Sequence, residues 1–279
     1  MYKALLVYSE IRYRKNAWFA NHLIEVAKDY EIKLDFIFDK DIKISNLKNS
    51  NYSFIIYRSD NLKLKKSLHS LNILLINSLE ISKIANNKYN TFKVCKKLNI
   101  PCLDTKLLTD SYINNICNDQ KNIYPKVIKE VSGHGGNEVY LIKNIKDLQT
   151  FLDSNYNFNK KYIIQKECDT PGIDIRVYII NNKIIKVVKR YSRVDFRANY
   201  SLGGNFSFSK TNKDINNILN ILFKNYNFGF VGIDFIINDG HYILNEIEDL
   251  VGCRMLYLKW DKDIADLLFK EILKIIKQK

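Results

Sequence analysis

The sequence has no long hydrophobic run. Of its 279 residues, 46% are apolar, but no stretch reaches the roughly 18 consecutive apolar residues that a membrane-spanning helix needs. The first ten residues read as a buried strand rather than as the charged, apolar and small-residue segments of a secretory signal. We therefore expect a cytoplasmic protein that is neither exported nor inserted in a membrane.

Paired cysteines are also missing. The 5 cysteines are scattered and odd in number, without a Cys-x-x-Cys motif: Cys95, Cys102, Cys117, Cys168 and Cys253. This spacing favours neither a disulfide framework nor a zinc site. We interpret them as reduced thiols, mostly buried.

The formal charge of +14 is compatible with an anionic partner such as a nucleotide, a nucleic acid or an acidic peptide. The lysines are spread along the chain, however, and its richness in Lys, Asn and Ile is typical of an AT-rich genome. Because no nucleic-acid recognition motif occurs, the charge does not favour a nucleic-acid partner.

Strands and helices alternate in the first part of the chain. Strands are predicted at Lys3–Tyr8, Lys33–Phe38, Tyr52–Arg58 and Asn72–Asn77, with helices at Ala17–Tyr30 and Leu62–Leu71. This alternation predicts a parallel sheet flanked by helices. Two helical pieces follow, and the second must end before Pro101. We place a first domain boundary near Asn86.

The remainder has a different pattern. Two strands surround a glycine-rich loop, a helix ends at Asn155, and antiparallel strands follow with turns at Asn181–Asn182 and Asn238–Gly240. A helix closes the chain. We predict an N-terminal βα domain (1–86), a central domain with the glycine loop (87–165) and a C-terminal domain (166–279), which form one compact body because no low-complexity linker separates them.

The glycine loop has the sequence SGHGG and runs from Ser132 to Gly136. Its glycines tolerate positive φ and close backbone approach, so its amides can surround a phosphate. A plain hairpin turn is the alternative. The glycine loop is not a Walker loop, because no Gly-Lys-Ser/Thr follows and the next element is a strand.

Lys129 lies on the strand before this loop, on the same face as Val127 and Val131. One interpretation is an ammonium that reaches phosphates held by the loop. The alternative is a long side chain that extends to water.

A group of acids lies near the C-terminus. Asp234 interrupts an apolar strand, and Glu246 and Glu248 lie on one face of the next, about 7 Å apart by strand rise. Like charges between apolar residues are costly unless solvated or bound to a cation. Oxygen ligands without His or Cys indicate magnesium; a solvated edge strand is the alternative.

The turn between these two strands decides whether the acids can share a metal. A two-residue loop of Asp239 and Gly240 would place Glu246 and Glu248 on the face opposite Asp234. A three-residue loop with Gly240 at positive φ would place all three acids on one face. The magnesium hypothesis therefore predicts the three-residue loop, and the two-residue register would defeat the site assignment.

The order of loop, lysine and acids resembles the ATP-grasp superfamily, and within it the RimK-like carboxylate–amine ligases. The resemblance covers nearly the whole chain. Its segments are PKVIKEVSGHGGNEV, YIIQKE, GIDIRVYIINNKII, KRYSRVDFRAN, GIDFI and NEIED. It implies an ATP-grasp fold in which a parallel βα domain precedes two α+β subdomains that enclose ATP.

The resemblance also assigns roles. It implies that Lys129 contacts the α- and β-phosphates and that Lys88 is the family's other nucleotide-binding lysine. It also implies that the loop from Ser132 through Gly133, Gly135 and Gly136 to Asn137 forms a flap over the nucleotide, and that Lys166 and Glu167 hold the adenine. It places Asp174 near the ribose and nucleotide, Arg176 and Arg190 toward the phosphate and acyl groups, and Arg197 and Asn199 in an active-site loop. The implied magnesium ligands, with Mn²⁺ as the alternative ion, are Asp234, Glu246 and Glu248.

Two departures from the family concern the acyl site. Glu248 stands where the family usually has Asn, and Asp249 adds a further acid, which we expect to tighten a metal or repel an anionic acyl group. The usual Pro-Gly is absent, and Gly252 and Arg254 are expected to form a different acyl pocket.

The implied reaction is ATP-dependent activation of a carboxylate to an acyl phosphate, with release of ADP, followed by attack of an amine, a peptide or a carrier thiol. The resemblance also allows a homodimer. The alternative is a non-catalytic nucleotide-binding or RNA-associated protein on the same scaffold, which the intact acids disfavour.

Overall fold

The computed structural model describes residues 1–118 and 123–278, and the side chains of residues 117 and 118, including Cys117, lie outside the description. Three sheets are described, one parallel and two antiparallel. They follow one another along the chain.

The N-terminal sheet has the predicted parallel arrangement, in the order β2-β1-β3-β4. Its elements are β1 (Tyr2–Tyr8), α1 (Glu10–Lys28), β2 (Ile32–Phe38), α2 (Ile44–Lys48), β3 (Phe54–Arg58), α3 (Leu62–His69), β4 (Leu74–Ile76) and α4 (Leu79–Ala85). Helix α1 begins earlier than predicted because Ser9 caps it, accepting a hydrogen bond from the amide of Arg12.

The central sheet is antiparallel, in the order β5-β8-β6-β7. It is preceded by α5 (Lys88–Lys97) and contains β5 (Lys106–Leu107), α6 (Asp110–Asn118), β6 (Lys126–Glu130), β7 (Val139–Ile142), α7 (Ile145–Ser154) and β8 (Tyr162–Lys166). The glycine loop joins β6 to β7. Asn155 ends α7 as predicted, its amide donating to the carbonyl of Phe151 at 2.9 Å.

The C-terminal sheet is antiparallel in the order β11-β10-β9-β12-β13. Its elements are β9 (Ile173–Ile180), β10 (Lys183–Tyr191), β11 (Asn205–Ser209), α8 (Lys213–Asn225), β12 (Phe230–Asn238), β13 (His241–Glu248), α9 (Arg254–Lys259) and α10 (Ile264–Lys277). Helix α8 was not predicted, although Ile215, Ile218, Leu219 and Leu222 have clear helical spacing and are all buried.

The two faces of the C-terminal sheet differ in polarity. One face packs against α8 through a buried apolar cluster that includes Ile175, Val177 and Ile233. The alternate residues on the same strands include Asp174, Arg176 and Asp234. Strand alternation thus separates an apolar core from a charged face.

Several further expectations can be compared with the described residues. Cys95 and Cys253 are buried, whereas Cys102 and Cys168 are only partly buried. Within the described ranges, no helix combines the length and apolarity needed to cross a membrane. The predicted domain boundaries stay predictions, and the second falls inside β8.

Candidate active site

A cleft of about 910 Å³, counting the solvent at its mouth, lies between the glycine loop and the charged face of the C-terminal sheet. Most of the predicted site residues line it. They are Lys88, Lys129, Gly133, Gly135, Gly136, Lys166, Glu167, Asp174, Arg176, Arg197, Asn199, Glu246 and Glu248.

Three predicted site residues lie outside this lining. Ser132 turns its hydroxyl to Oε1 of Glu130, 3.1 Å away. Arg190 lines a neighbouring cavity, and Asp234 is buried beneath the cleft.

The cleft also has an apolar part that the sequence analysis missed. It is formed by Leu103, Val127, Val139, Cys168, Phe196 and Ile236. These residues come from different segments and have no joint sequence signature, so only the fold brings them together. An apolar slot beside charged groups suits a flat base linked to phosphates.

Lys129 does not extend to bulk water. Its Nζ donates to Oδ1 of Asn245 at 3.1 Å, and burial lowers the pKa of Lys129 to about 8, an effect that the charge of Glu246 partly offsets. Asn245 was also missed by the sequence analysis. An ammonium in this environment faces the cleft and can bind an anion there.

Lys88 connects the glycine loop to the acids. Its Nζ lies 3.1 Å from Oε1 of Glu246 and also donates to the carbonyl of Gly133. Lys88 is the first residue of helix α5. Its backbone amide donates to the carbonyl of Val131 at 3.0 Å. Lys88 therefore joins one edge of the loop to the acidic side of the cleft.

The glycine loop adopts a conformation that requires glycine. Gly135 and Gly136 have φ of 73° and 83°. A Cβ on Gly136 would lie 2.7 Å from Oδ1 of Asn199, and Arg197 donates to the carbonyl of Gly136 at 2.8 Å. The predicted active-site loop after β10 therefore packs directly on the glycine loop.

Two arginines bind the buried acids. Arg176 donates to both oxygens of Asp234 at 2.8 and 2.7 Å, and its Nη2 lies 2.6 Å from Oε2 of Glu248. Arg190 binds both oxygens of Asp174 and also donates to Asp234 at 2.7 Å. Burial would raise the pKa of Asp234, but the two guanidinium groups outweigh it and lower the pKa to about 2.

The predicted three-residue turn is wrong. Asn238 pairs with His241, so Asp239 and Gly240 form a two-residue loop in which both have positive φ, as was predicted for Gly240. A β-bulge between Asp234 and Phe235 then shifts the register. The shift was not anticipated, and it pairs Asp234 directly with Glu246. The acids therefore share one face despite the shorter turn.

The three acids share one face of the sheet, and carboxylate oxygens are the donors that magnesium prefers. Glu246 and Glu248 line the cleft with hard oxygen donors. Asp234 is engaged by two guanidinium groups, and within the described ranges no group of three such side chains is arranged to hold a metal ion. The three-carboxylate ligand set stays a prediction.

Asp249 does not act on the cleft as expected. It is buried, with its Oδ2 3.5 Å from Nζ of Lys65 on α3. It also accepts hydrogen bonds from Asn77, Ser82 and Asn86. Asp249 therefore fastens the end of β13 to the N-terminal sheet.

Gly252 and Arg254 do line a second cavity, of about 500 Å³ when the solvent at its mouth is counted. It shares Gly135, Arg176, Asn199 and Glu248 with the main cleft, so the two cavities adjoin. The side chain of Arg254 is exposed.

A family model described as the RimK-like ATP-grasp domain matches residues 85–272. The fold agrees: the D-alanine–D-alanine ligase of Bacillus anthracis, solved with ATP, has a TM-score of 0.74 at 14% identity, and the match covers 100% of this chain and 99% of that chain. The chain thus has an ATP-grasp fold. It belongs to the RimK-like ATP-grasp family.

Two curated relatives illustrate the similarity in sequence. An uncharacterized MG011 homolog of Mycoplasma pneumoniae is 29% identical, over 91% of this chain and 86% of the relative. The alpha-aminoadipate–LysW ligase LysX of Saccharolobus solfataricus is 27% identical, over 82% of this chain and 88% of the relative.

Proposed function

We propose that the protein is an ATP-dependent ligase that activates a carboxylate as an acyl phosphate and couples it to an amine or another nucleophile. The observation that supports this most is the joint lining of one cleft by Lys88, Lys129, the glycine loop and the acids Glu246 and Glu248. Phosphoryl transfer depends mainly on positioning and on electrostatic stabilisation, and these groups supply both.

In this proposal, the apolar slot holds the adenine with Lys166 and Glu167 at its rim. Asp174 lies toward the ribose. Lys129 and Lys88 bind the phosphates, and the amides of the glycine loop cover them. Magnesium, held by Glu246 and Glu248 with Asp234 behind them, would supply charge neutralisation at the phosphate oxygens.

The second cavity is proposed to hold the carboxylate substrate, because it meets the main cleft at Arg176 and Glu248. An oxygen of that carboxylate attacks the γ-phosphate, which yields the acyl phosphate and ADP. Arg176 and Arg190 stabilise the developing negative charge. The nucleophile then attacks the acyl carbon and phosphate leaves. Arg197 and Asn199 keep the glycine loop in place during both steps.

The test is a panel of carboxylates and amino acids assayed for ADP release with ATP and magnesium. We expect one class of carboxylate to stimulate release, and Glu246→Gln to reduce the stimulated rate by about 100-fold. ATP binding without stimulation by any carboxylate would instead favour a non-catalytic nucleotide-binding protein. The cytoplasmic location, the acceptor and a homodimer stay predictions.

A further inference from the structure

The glycine loop is held on two sides by side chains of the central and C-terminal parts of the chain. Lys88 donates to the carbonyl of Gly133. On the other side, Arg197 and Ser201 donate to the carbonyls of Gly136 and Gly135. These contacts all reach backbone atoms, and none of them comes from the N-terminal sheet.

His134 makes a fourth contact, which links the loop to the segment after β3 of the N-terminal sheet. Its Nε2 lies 3.5 Å from Oδ1 of Asp60, which follows the C-terminal end of β3. The side chain of His134 is 24% exposed, and its Nδ1 is buried with no hydrogen-bond partner in the part of the chain that the structure describes. The imidazole is therefore enclosed between the loop and the N-terminal sheet.

Asp60 is itself fixed in place. Arg12 on α1 donates to both of its oxygens, from Nε at 2.9 Å and from Nη2 at 2.7 Å. Burial would raise the pKa of Asp60, but its bonds to Arg12 outweigh that effect and keep the pKa below its ordinary value. Asp60 is thus an ionised and oriented acceptor.

The protonation state of His134 allows its ring to present an N–H to Asp60. Burial, and then the charge of Arg12, lower the pKa of His134, while Glu248 and Asp60 oppose the shift and Lys88 adds to it. The imidazole is therefore neutral near pH 7 and carries one N–H. With that proton on Nε2, the N–H of His134 lies on the side of Oδ1 of Asp60, 3.5 Å away, and Nδ1 is left as an acceptor.

We propose that His134, Asp60 and Arg12 form a latch that docks the glycine loop on the N-terminal sheet when the nucleotide is bound. The inference rests on the proposed function, since closure has meaning only with ATP beneath the loop. His134 is a positioning residue in this scheme. The N-terminal sheet thereby becomes part of the closed active site.

The glycines beside His134 permit such a movement. Gly133 precedes it and Gly135 follows it, so the backbone on both sides can change conformation at low steric cost. Closing a loop over a reactive site excludes water and protects an acyl phosphate from hydrolysis. Without His134, the side of the loop that faces the N-terminal sheet would be unsecured, because Lys88, Arg197 and Ser201 hold it from other directions.

The test is hydrogen exchange over residues 131–137, with the non-hydrolysable analogue AMP-PNP and magnesium as the probe. We expect the analogue to slow exchange at least tenfold in the wild-type protein, and less than threefold in His134→Ala and in Asp60→Asn. The double variant is expected to match the single variants, because either change opens the same contact. His69→Ala, on an exposed site of the same sheet domain, is the matched control and should behave as wild type.

The outcomes separate the latch from the proposed function. Absence of AMP-PNP binding to the wild-type protein by calorimetry would overturn the proposed function. Binding with equal protection in wild type and His134→Ala would overturn the latch alone. Loss of protection in His134→Ala but not in Asp60→Asn would overturn the assigned partner. His134→Gln, which keeps a polar side chain of similar size, replaces His134→Ala if the latter does not fold.

Discussion

Asp234 on β12 lies directly opposite Glu246 on β13, although the turn that joins these strands has only two residues. Without the bulge, Asp234 would face Asn245 and the two carboxylates would lie on opposite faces of the sheet. The bulge offsets the turn, so Asp234, Glu246 and Glu248 share the charged face. The proposed metal site therefore depends on an irregularity in the strand pair.

The first prediction concerns Glu246. Glu246→Gln keeps the shape of the side chain but removes the charge that faces Lys88 and the proposed magnesium ion. We expect ATP turnover to fall by about 100-fold. We also expect the magnesium concentration that gives half-maximal ADP release to rise. The measurement is a magnesium titration of ADP release, with the exposed Glu80→Gln as control. Unchanged magnesium dependence would remove Glu246 from the metal site.

The second prediction concerns Lys129, whose ammonium faces the cleft. Removing a charge-assisted phosphate contact in Lys129→Ala is expected to weaken ATP binding by about 10-fold to 100-fold and to leave the melting temperature nearly unchanged. Calorimetry and thermal unfolding test both parts, with the exposed Lys146→Ala as control. Normal ATP affinity would contradict the phosphate role, and an unfolded variant would show that Lys129 is needed for packing.

The third prediction concerns the buried pair of Lys65 and Asp249, which joins the N-terminal sheet to the end of β13. Lys65→Met leaves a buried carboxylate without its cation, so the free energy of unfolding should fall by about 3–5 kcal/mol. Lys65→Met with Asp249→Asn should cost less than the sum of the single changes. Urea unfolding measures these values. A loss as small as that of Lys28→Met, which breaks an exposed pair with Glu25, would contradict the structural role.

The fourth prediction is a pH dependence at Glu271 on α10. Burial would raise the pKa of Glu271, but bonds from Lys183, Lys274 and Asn181 lower it from 4.5 to about 2. Because the folded pKa is the lower one, Glu271 stabilises the fold above pH 4.5, and this contribution disappears as pH falls toward 2.

Glu271→Gln should therefore be less stable than wild type at pH 7. The difference in stability between the two proteins should become smaller between pH 5 and pH 3. Urea unfolding midpoints at several pH values give the comparison, with the exposed Glu25→Gln as control. A gap that stays constant across this range would contradict the pKa shift.

Helices and strands with a strong hydrophobic period could be predicted from the sequence. Candidate site residues could be recognised where a charged side chain has apolar neighbours in a strand. The parallel order of the first sheet follows from the alternation of strands and helices, and Lys129 is recognisable because a lysine between two valines is uncommon in a strand. The family resemblance supplied the remaining candidate residues of the proposed nucleotide site, and most of them line the cleft.

Long-range geometry could not be obtained in the same way. The bulge between Asp234 and Phe235 has no signature in the sequence, so the requirement that the three acids share one face led to the wrong turn length. Asp249 looked like an additional active-site acid because it follows Glu248, whereas its partner Lys65 is 184 residues earlier and only the fold brings the two together. Asn245 was missed for the same reason.

The most direct test of the central claim uses a carboxylate that stimulates ADP release, labelled with ¹⁸O in both carboxylate oxygens. Attack of the carboxylate on the γ-phosphate, followed by displacement, moves one of these oxygens to inorganic phosphate. We predict one ¹⁸O atom in each phosphate released with coupled product. Unlabelled phosphate, or label appearing in AMP instead, would contradict activation through an acyl phosphate.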